Sequence, residues 1–144
     1  MLANLALGTL LISATVLIHT VGLVALLRSM LVMVHWLRLQ RHDFGKTIAI
    51  MLTVFGLFFL HTIEIWLCAA AYVAIGVING FETALYFSTV TFSTLGYGDI
   101  QAAPQWRLFA SFEGIDGFLL LGWSLAYLVA ASTRHGPFRT GEHF

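Results

Sequence analysis

The sequence has few charged residues, one cysteine and only two prolines. Of its 144 residues, 10% are charged and 59% are hydrophobic, and seven basic residues balance seven acidic ones. A soluble domain of this size needs a far more polar surface, so the composition predicts a protein that is surrounded by a lipid bilayer. Because a net charge of zero provides no field that attracts nucleic acid, no nucleic-acid partner is expected.

The single cysteine, Cys68, excludes an intrachain disulfide and any metal site built from several thiolates. It stands in an apolar stretch beside Trp66 and Leu67, so we expect a buried and inert thiol. The sequence also has no nucleotide-binding loop and no catalytic constellation. We therefore do not expect an enzyme.

Three apolar stretches are long enough to cross a bilayer, which takes about 20 helical residues. They run approximately from Leu5 to Leu27, from Thr47 to Val77 and from Leu108 to Ala131. No basic residue precedes the first stretch, which is also too long for a signal-peptide core, so we expect a retained span. A fourth apolar piece, Thr83 to Ser93, is too short to span the bilayer. It predicts a re-entrant helix that leads into a loop.

The basic residues are unevenly placed along the chain. Four of the seven lie from Arg28 to Lys46, two lie in the C-terminal tail, and Arg107 alone lies near the re-entrant segment. Because cytoplasmic loops carry the excess of basic residues, we expect the N-terminus outside and the C-terminus inside a plasma (cell inner) membrane. The segment from Ser29 to Gln40 lies on the inner membrane surface or continues the first helix inward, and we favour a helix with a bend near Arg28.

The loop from Thr94 to Asp99, TLGYGD, follows the re-entrant segment. In a membrane, irregular backbone is stable only where it is buried in protein or lines water. Gly96 and Gly98 permit left-handed dihedrals at alternate residues, and such alternation points successive carbonyl groups in one direction. Together with the Thr94 hydroxyl, these oxygens can replace the hydration shell of a cation. The loop therefore predicts an ion pore.

The helix predicted from Thr83 to Ser93 adds a second attraction for a cation. Its C-terminal end carries about half a negative elementary charge, which would face a water-filled cavity. Glu82 suits the positive end of the same dipole. One chain carries one such loop, so enclosing an ion predicts a ring of identical chains around one axis.

At these residues the chain resembles the pore domain of potassium channels. The resemblance covers residues 46–134 and is most specific from Ala84 to Asp99, ALYFSTVTFSTLGYGD. It implies an outer helix, a pore helix, a Thr-x-Gly-Tyr-Gly filter and an inner helix in a four-fold symmetric homotetramer that conducts K⁺ passively. Residues 1–45 add an N-terminal membrane-spanning helix and a basic segment, and residues 135–144 form a short cytoplasmic tail. The expected fold is all-α, with three membrane-spanning helices, a re-entrant pore helix and a filter loop.

The resemblance also implies roles for individual filter residues. The carbonyl groups, with the Thr94 hydroxyl, would bind K⁺ ions at Thr94, Leu95, Gly96 and Tyr97, with Gly98 completing the filter, and no organic cofactor is implied. Leu95 departs from the family, in which Val or Ile is usual. Because Leu is less stiff at χ1 than a β-branched residue, we predict a filter that still prefers K⁺ but collapses or inactivates more readily.

Filter support is likewise implied by the resemblance. Asp99 would sit behind the outer mouth, where the hydroxyl of Tyr86 is placed to hold its carboxylate. Thr91 would hold Tyr97, alone or with a group from a neighbouring chain, and Ser93 is a further candidate support. Where some relatives carry a buried glutamate behind the filter, this chain has a valine at position 90.

Two acids in the third span, Glu113 and Asp116, are functional candidates because ionisable groups within spans are costly. Aligned on the family, Gly117 falls at the hinge glycine, so Asp116 would lie near the cavity and admit inner cation blockers such as magnesium or polyamines. Alternatively, both acids are neutral or hydrogen-bonded to pore-helix hydroxyls. For Glu113 we favour packing behind the filter. Gly117 and Gly122 either bend the helix or permit close packing.

The polar residues of the first two spans fit more than one role. Glu64 lies three residues after His61 on one helical face, and the two pair with each other or with the first helix, which carries His19. Two histidines within spans also suit axial ligation of a haem, although a haem protein needs no TLGYG loop.

Two functions besides a potassium-selective channel are compatible with the sequence. One is a weakly selective channel that passes Na⁺ as well as K⁺, because Leu95 or missing supports loosen the filter. The second is a non-conducting channel-like subunit or sensor that keeps the fold without flux.

The gating stimulus is not fixed by the sequence. No helix carries Arg at every third position, so a voltage sensor of the usual kind is not expected. Protons acting on His35, His42 or His135, membrane tension and simple leak all stay open.

Overall fold

A computed structural model describes residues 1–36 and 43–135, which form helices and loops and include no strand. The elements are α1 (Leu2–Trp36), α2 (Asp43–Ile75), α3 (Phe81–Phe92), a short 3-10 helix (Pro104–Trp106) and α4 (Arg107–His135). Three stretches are long and apolar enough to cross a membrane, namely Leu2–Val32, Phe44–Ile75 and Pro104–Arg134. The predicted all-helical membrane fold with three spans is confirmed. The predicted tail beyond residue 135, and His42, lie outside the described residues.

Helix lengths separate the spanning helices from the re-entrant one. Helices α1, α2 and α4 have 35, 33 and 29 residues, whereas α3 has 12. At about 1.5 Å per residue, α3 is about 18 Å long and cannot cross about 30 Å of hydrocarbon. The three long helices exceed that thickness, so they tilt or project beyond it.

Helix α1 is helical without interruption past Arg28 as far as Trp36. Met30 is only 3% exposed and packs with Ala49 of α2 and Ala131 of α4. A helix lying on the membrane surface would not bury Met30 in this way. The interfacial interpretation is therefore wrong for residues 29–36, which continue α1; residues 37–40 lie outside the described residues.

Small residues let α1 pack closely against the rest of the bundle. A Cβ atom added at Gly8 or Gly22 of α1 would overlap the side chain of Phe112 or of Leu60, respectively. Close approach at small residues is how helices associate in a bilayer, where the hydrophobic effect between helices is absent. Helix α1 thus packs on both α2 and α4.

The turn between α2 and α3 sets where the re-entrant helix starts. Gly76, with a φ of 76°, follows the last residue of α2. The Gly76 N–H donates to the Val73 carbonyl at 3.1 Å, and the Val77 N–H donates to the Tyr72 carbonyl at 2.8 Å. This pattern is a Schellman motif, which ends a helix sharply and requires the left-handed residue. It reverses the chain so that α3 packs back against α2.

The largest cluster of buried side chains lies where α2, α3 and α4 meet. The ring of Tyr72 packs edge-on against Phe87 of α3 and Phe109 of α4, with ring centroids 5.2 and 5.5 Å apart. Cys68 is fully buried in the same cluster, as the sequence predicted. This core fixes α3, and with it the start of the loop that follows.

Candidate functional site

The loop from Thr94 to Gly98 begins directly after α3. Backbone φ is positive at Thr94 (61°), Gly96 (53°) and Gly98 (77°), so left-handed residues alternate with the others. The sequence predicted this conformation for the two glycines, and it did not predict it for Thr94. A β-branched residue is strained there by about 1–2 kcal/mol. The backbone alternation that aligns carbonyl groups along one side of a loop is therefore present.

Backbone hydrogen bonds fix the base of this loop to α3. The Thr94 N–H donates to the Thr91 carbonyl at 3.0 Å, and the Gly96 N–H donates to the Val90 carbonyl at 2.9 Å. All residues from Thr94 to Gly98 are exposed in the single chain, and Tyr97 is 68% exposed. The base of the loop is thus held by its own pore helix, whereas its upper part is uncovered by the described residues of one chain.

Helix α3 directs its C-terminal end at this loop. It runs from Phe81 to Phe92, close to the predicted range, and carries Glu82 in its first turn. A carboxylate in the first turn and a cation beyond the last turn both suit the helix dipole. The helix therefore adds a negative partial charge at the base of the loop.

Asp99, just after the loop, is held by Tyr86. The Tyr86 hydroxyl donates to Asp99 Oδ2 at 2.8 Å, which is the contact that the family resemblance implied. This hydrogen bond raises the pKa of Tyr86, since ionising the phenol would remove the donated proton and add a second negative charge. The contact ties the chain after the loop to the middle of α3.

Thr91 and Ser93, the two further residues expected to support the filter, make other contacts in the single chain. The Thr91 methyl group points toward α4, 4.0 Å from where a Cβ of Gly114 would lie. The hydroxyl of Ser93, the residue just after α3, donates back to the Thr89 carbonyl at 2.7 Å. Among the described residues of one chain, neither side chain hydrogen-bonds Tyr97. Support of Tyr97 by Thr91 together with a group from a neighbouring chain stays a prediction.

A buried polar cluster lies behind the pore helix, and we call Tyr72, Ser88 and Glu113 the brace. Glu113 of α4 is 1% exposed, and its two carboxylate oxygens accept hydrogen bonds from the Tyr72 hydroxyl of α2 and the Ser88 hydroxyl of α3. The Ser88 hydroxyl also contacts the Ile65 carbonyl at 3.0 Å. Because each member comes from a different helix, the brace fixes the three helices around the loop.

The brace agrees with the packing interpretation of Glu113 and also with the alternative of a hydrogen bond to a pore-helix hydroxyl, since Ser88 belongs to α3. Neither Ser88 nor Tyr72 was named as a candidate from the sequence. A carboxylate inside a span needs donors, and Tyr72 and Ser88 are hydroxyl residues within largely apolar helices, so a search for such donors would have found them. Val90, at the position of the glutamate in some relatives, is buried and apolar. In this chain the acid behind the pore helix comes from α4.

Asp116 does not lie in a cavity, which corrects the sequence interpretation. It is 3% exposed, and its Oδ2 accepts a hydrogen bond of 2.6 Å from the Thr15 hydroxyl of α1. Neighbouring residues on the other side of α4, Ile115 and Phe118, are 57% and 67% exposed. The carboxylate thus faces the first helix, whose position the two-helix family unit does not include. Inner cation blockers were expected because Asp116 was placed near the cavity, and this position of Asp116 does not support that expectation.

Gly117 brings α4 against the end of the pore helix. A Cβ atom at this position would overlap the backbone carbonyl of Phe92, the last residue of α3. At Gly122 nothing lies within 4 Å of an added Cβ. The structure thus gives Gly117 the close-packing role that was one of its two interpretations.

Two histidines converge on one carboxylate between α1 and α2. His19 Nδ1 lies 2.8 Å from Glu64 Oε1, and His61 Nδ1 lies 2.8 Å from Glu64 Oε2. Glu64 therefore pairs both with its own helix and with the first helix. The carboxylate lies between the two Nδ1 atoms, and the ring centroids are only 5.5 Å apart, so a haem does not fit between these histidines. The haem interpretation is not supported.

Comparison with known proteins gives one match. Residues 60–134, just over half of the chain, match the ion channel family. The match includes the end of α2, all of α3, the loop and nearly all of α4, and it leaves α1 outside. No curated protein and no solved structure matches the chain.

Proposed function

The chain belongs to the ion channel family, and we propose that it is a potassium-selective channel whose filter is the loop from Thr94 to Gly98. The observation that carries this proposal is the alternation of positive φ at Thr94, Gly96 and Gly98 directly beyond the C-terminus of a re-entrant helix. The carbonyl oxygens of residues 94–97, with the Thr94 hydroxyl, would replace the water around K⁺.

Four copies around one axis would enclose the ion. One chain supplies one loop, and that loop is exposed on the side away from α3. The apolar face of α4 that carries Ile115, Phe118 and Leu119 is also exposed, each residue by more than half. In a cyclic assembly the loops would face the axis, and this face of α4 would line the pore or contact a neighbouring chain.

The orientation proposed for the channel follows the positions of its basic residues. The N-terminus would face outside, the loop would open outward near Gly98, and the C-terminus would be cytoplasmic in a plasma (cell inner) membrane. This multi-pass arrangement uses the three spans Leu2–Val32, Phe44–Ile75 and Pro104–Arg134.

A second candidate is a channel of weaker selectivity that also passes Na⁺. One observation favours it, namely that Tyr97 has no hydrogen bond to Thr91 or Ser93 among the described residues. Within one chain, neither of these side chains holds the filter tyrosine in place. Leu95, in place of the usual β-branched residue, adds freedom at the neighbouring position. Contacts from a neighbouring chain would remove this freedom in the K⁺-selective case.

Two glycines offer a matched test of conduction through the loop. Gly98 and Gly76 have φ values of 77° and 76°, and an added Cβ meets nothing within 4 Å at either. Alanine therefore imposes the same backbone strain at both, but only Gly98 is in the loop. We expect purified wild type and Gly76→Ala to carry K⁺ flux into liposomes, and Gly98→Ala to abolish it.

Equal flux through Gly98→Ala and Gly76→Ala would contradict conduction through this loop. An absence of flux in wild type that is folded and assembled would instead favour a non-conducting subunit or sensor. Because both variants carry comparable strain, loss of flux in only one of them cannot be attributed to general destabilisation.

A further inference from the structure

The cluster of His19, His61 and Glu64 is not used by the proposed conduction path, and it connects α1 to the pore-forming helices. We propose that these three residues form a binding site for a divalent transition-metal ion of the zinc class. One donor atom from each of the three residues lies within 4.8 Å of the other two. The site goes beyond the proposed function and does not depend on ion selectivity.

The position of Glu64 calls for a cation. Glu64 and His19 are completely buried, and His61 is 9% exposed. Both His19 and Glu64 lie well inside the spans Leu2–Val32 and Phe44–Ile75, far from either end. A carboxylate at this depth is costly unless it is paired with a positive charge. Two imidazoles that both face one carboxylate supply either a shared proton or ligands for a metal ion.

The ligand types fit zinc. Two imidazole nitrogens and one carboxylate oxygen form a set that proteins use for Zn²⁺, with a fourth position left to water or another group. Bond lengths of about 2.0–2.1 Å place two ligands of a tetrahedral ion about 3.4 Å apart. The donor atoms here are separated by at most 4.8 Å, so a side-chain rotation that moves each donor by about 1 Å or less brings all three into range.

The second ring nitrogens of the two histidines have different surroundings. His61 Nε2 lies 2.9 Å from the Ser124 hydroxyl of α4, which would orient the ring, as the second nitrogen of a metal-binding histidine is usually oriented. His19 Nε2 is buried and has no hydrogen-bond partner among the described residues. A metal ion bound through His19 Nε2 would give this nitrogen a partner and leave Nδ1 to Glu64.

A metal ion here would join α1, which lies outside the residues that match the family, to helices that lie within the match. His19 lies on α1, outside the match, whereas His61, Glu64 and Ser124 lie inside it. Because the folded bundle gathers the ligands and the unfolded chain does not, binding would stabilise the docking of α1 on the channel helices.

The six histidines of the chain provide the control. Two belong to the cluster, and four lie outside it in the sequence: His35, His42, His135 and His143. The test uses the full chain with an affinity tag that lacks histidine, purified into lipid nanodiscs and treated with a chelator. Co²⁺ is titrated in, tetrahedral coordination is followed by visible absorption, and Zn²⁺ is counted by mass spectrometry after removal of unbound metal.

We expect one bound ion per chain for wild type. We expect the same for the variant in which the four histidines outside the cluster are all replaced by glutamine. Ser124→Ala should weaken binding by about 10- to 100-fold, and His19→Gln or Glu64→Gln should weaken it by more. Absence of stoichiometric binding in wild type would overturn the proposal and leave a hydrogen-bonded network. Loss of binding in the four-histidine variant would overturn it too, since the two cluster histidines would then not suffice. Both decisive proteins keep the cluster intact, so the result does not depend on whether a cluster variant folds.

Discussion

The filter loop and the brace behind it are built in opposite ways. Residues Thr94–Gly98 are exposed and are held mainly by backbone hydrogen bonds to α3. The brace is buried, and its side chains come from α2, α3 and α4. The position of the pore helix is thus fixed within one chain, whereas the shape of the loop depends on local dihedrals and, in the proposed assembly, on neighbouring chains.

Mutations should therefore act differently in the two regions. Changes around the brace should lower the stability of the folded chain, with conduction lost only as a result. Changes in and beside the loop should alter conduction while the stability of the chain stays nearly the same. Thermal unfolding and current recordings on the same variants separate these two effects.

Gly117→Ala should have the largest effect on stability. The new Cβ would overlap the backbone of Phe92, which cannot move without displacing the end of α3 and the loop after it. Such overpacking costs about 1–3 kcal/mol, and a rigid backbone neighbour favours the upper part of that range. Gly122→Ala is the control, because nothing lies within 4 Å of its added Cβ. Thermal unfolding of the purified proteins measures both, and equal midpoints would show that α4 and α3 do not meet at Gly117.

Glu113→Leu should have the next largest effect. It leaves the Tyr72 hydroxyl buried without its acceptor, at a cost of about 1–3 kcal/mol. The Ser88 hydroxyl retains the Ile65 carbonyl. Glu113→Gln is the control, since an amide can accept from one hydroxyl and donate to the other, so it should lose less. Thermal unfolding again distinguishes the two, and a leucine variant as stable as the glutamine variant would show that the brace contributes nothing.

Leu95→Val should leave the unfolding free energy unchanged within about 0.5 kcal/mol, since Leu95 is 57% exposed in the single chain. In the proposed channel, however, the stiffer β-branched side chain should slow the inactivation of K⁺ currents. Macroscopic currents recorded during long voltage steps measure this rate. Unchanged currents and selectivity would show that Leu95 has no special influence on the filter.

Tyr86→Phe should also change stability little, because Tyr86 and Asp99 lie at the surface, but it should speed inactivation by freeing Asp99. The hydrogen bond raises the pKa of Tyr86 above its ordinary value of about 10. The hydrogen bond from Tyr86 therefore holds Asp99 fully below about pH 10, and it is lost as the pH rises through the raised pKa of Tyr86. Wild-type inactivation should accelerate over that alkaline range and that of Tyr86→Phe should not. An identical alkaline response in both would rule out this contact as the cause.

Much of the fold follows from local sequence signals. Three long apolar stretches with one short piece between them predict three spans and a re-entrant helix, because bilayer thickness dictates length. Gly96 and Gly98 predict the left-handed backbone, since only glycine adopts it without a Cβ penalty. The contact of Tyr86 with Asp99 followed from the family resemblance, because it joins residues within the segment that the family shares.

What could not be predicted depends on how distant helices meet. Asp116 was assigned to a cavity because it precedes Gly117, which aligns with the hinge glycine of a two-helix pore unit. That unit has no counterpart of α1, which supplies Thr15 to Asp116 here. The brace needs Tyr72 of α2 and Glu113 of α4, which are 41 residues apart in sequence, to meet. The sequence left open whether His61 and Glu64 pair with each other or with the first helix, and both contacts are present. That both occur at once depends on the rotation of α1, which a nearly uniform apolar helix does not reveal.

Reversal potentials of the purified chain in a planar bilayer test the central claim most directly. With K⁺ on one side and Na⁺ on the other, a pore lined by the carbonyl oxygens of the loop predicts single-channel currents that reverse far from zero, toward the K⁺ equilibrium potential, in wild type and in Gly76→Ala. Currents that reverse near zero in both proteins would contradict K⁺ selectivity and leave a weakly selective cation channel.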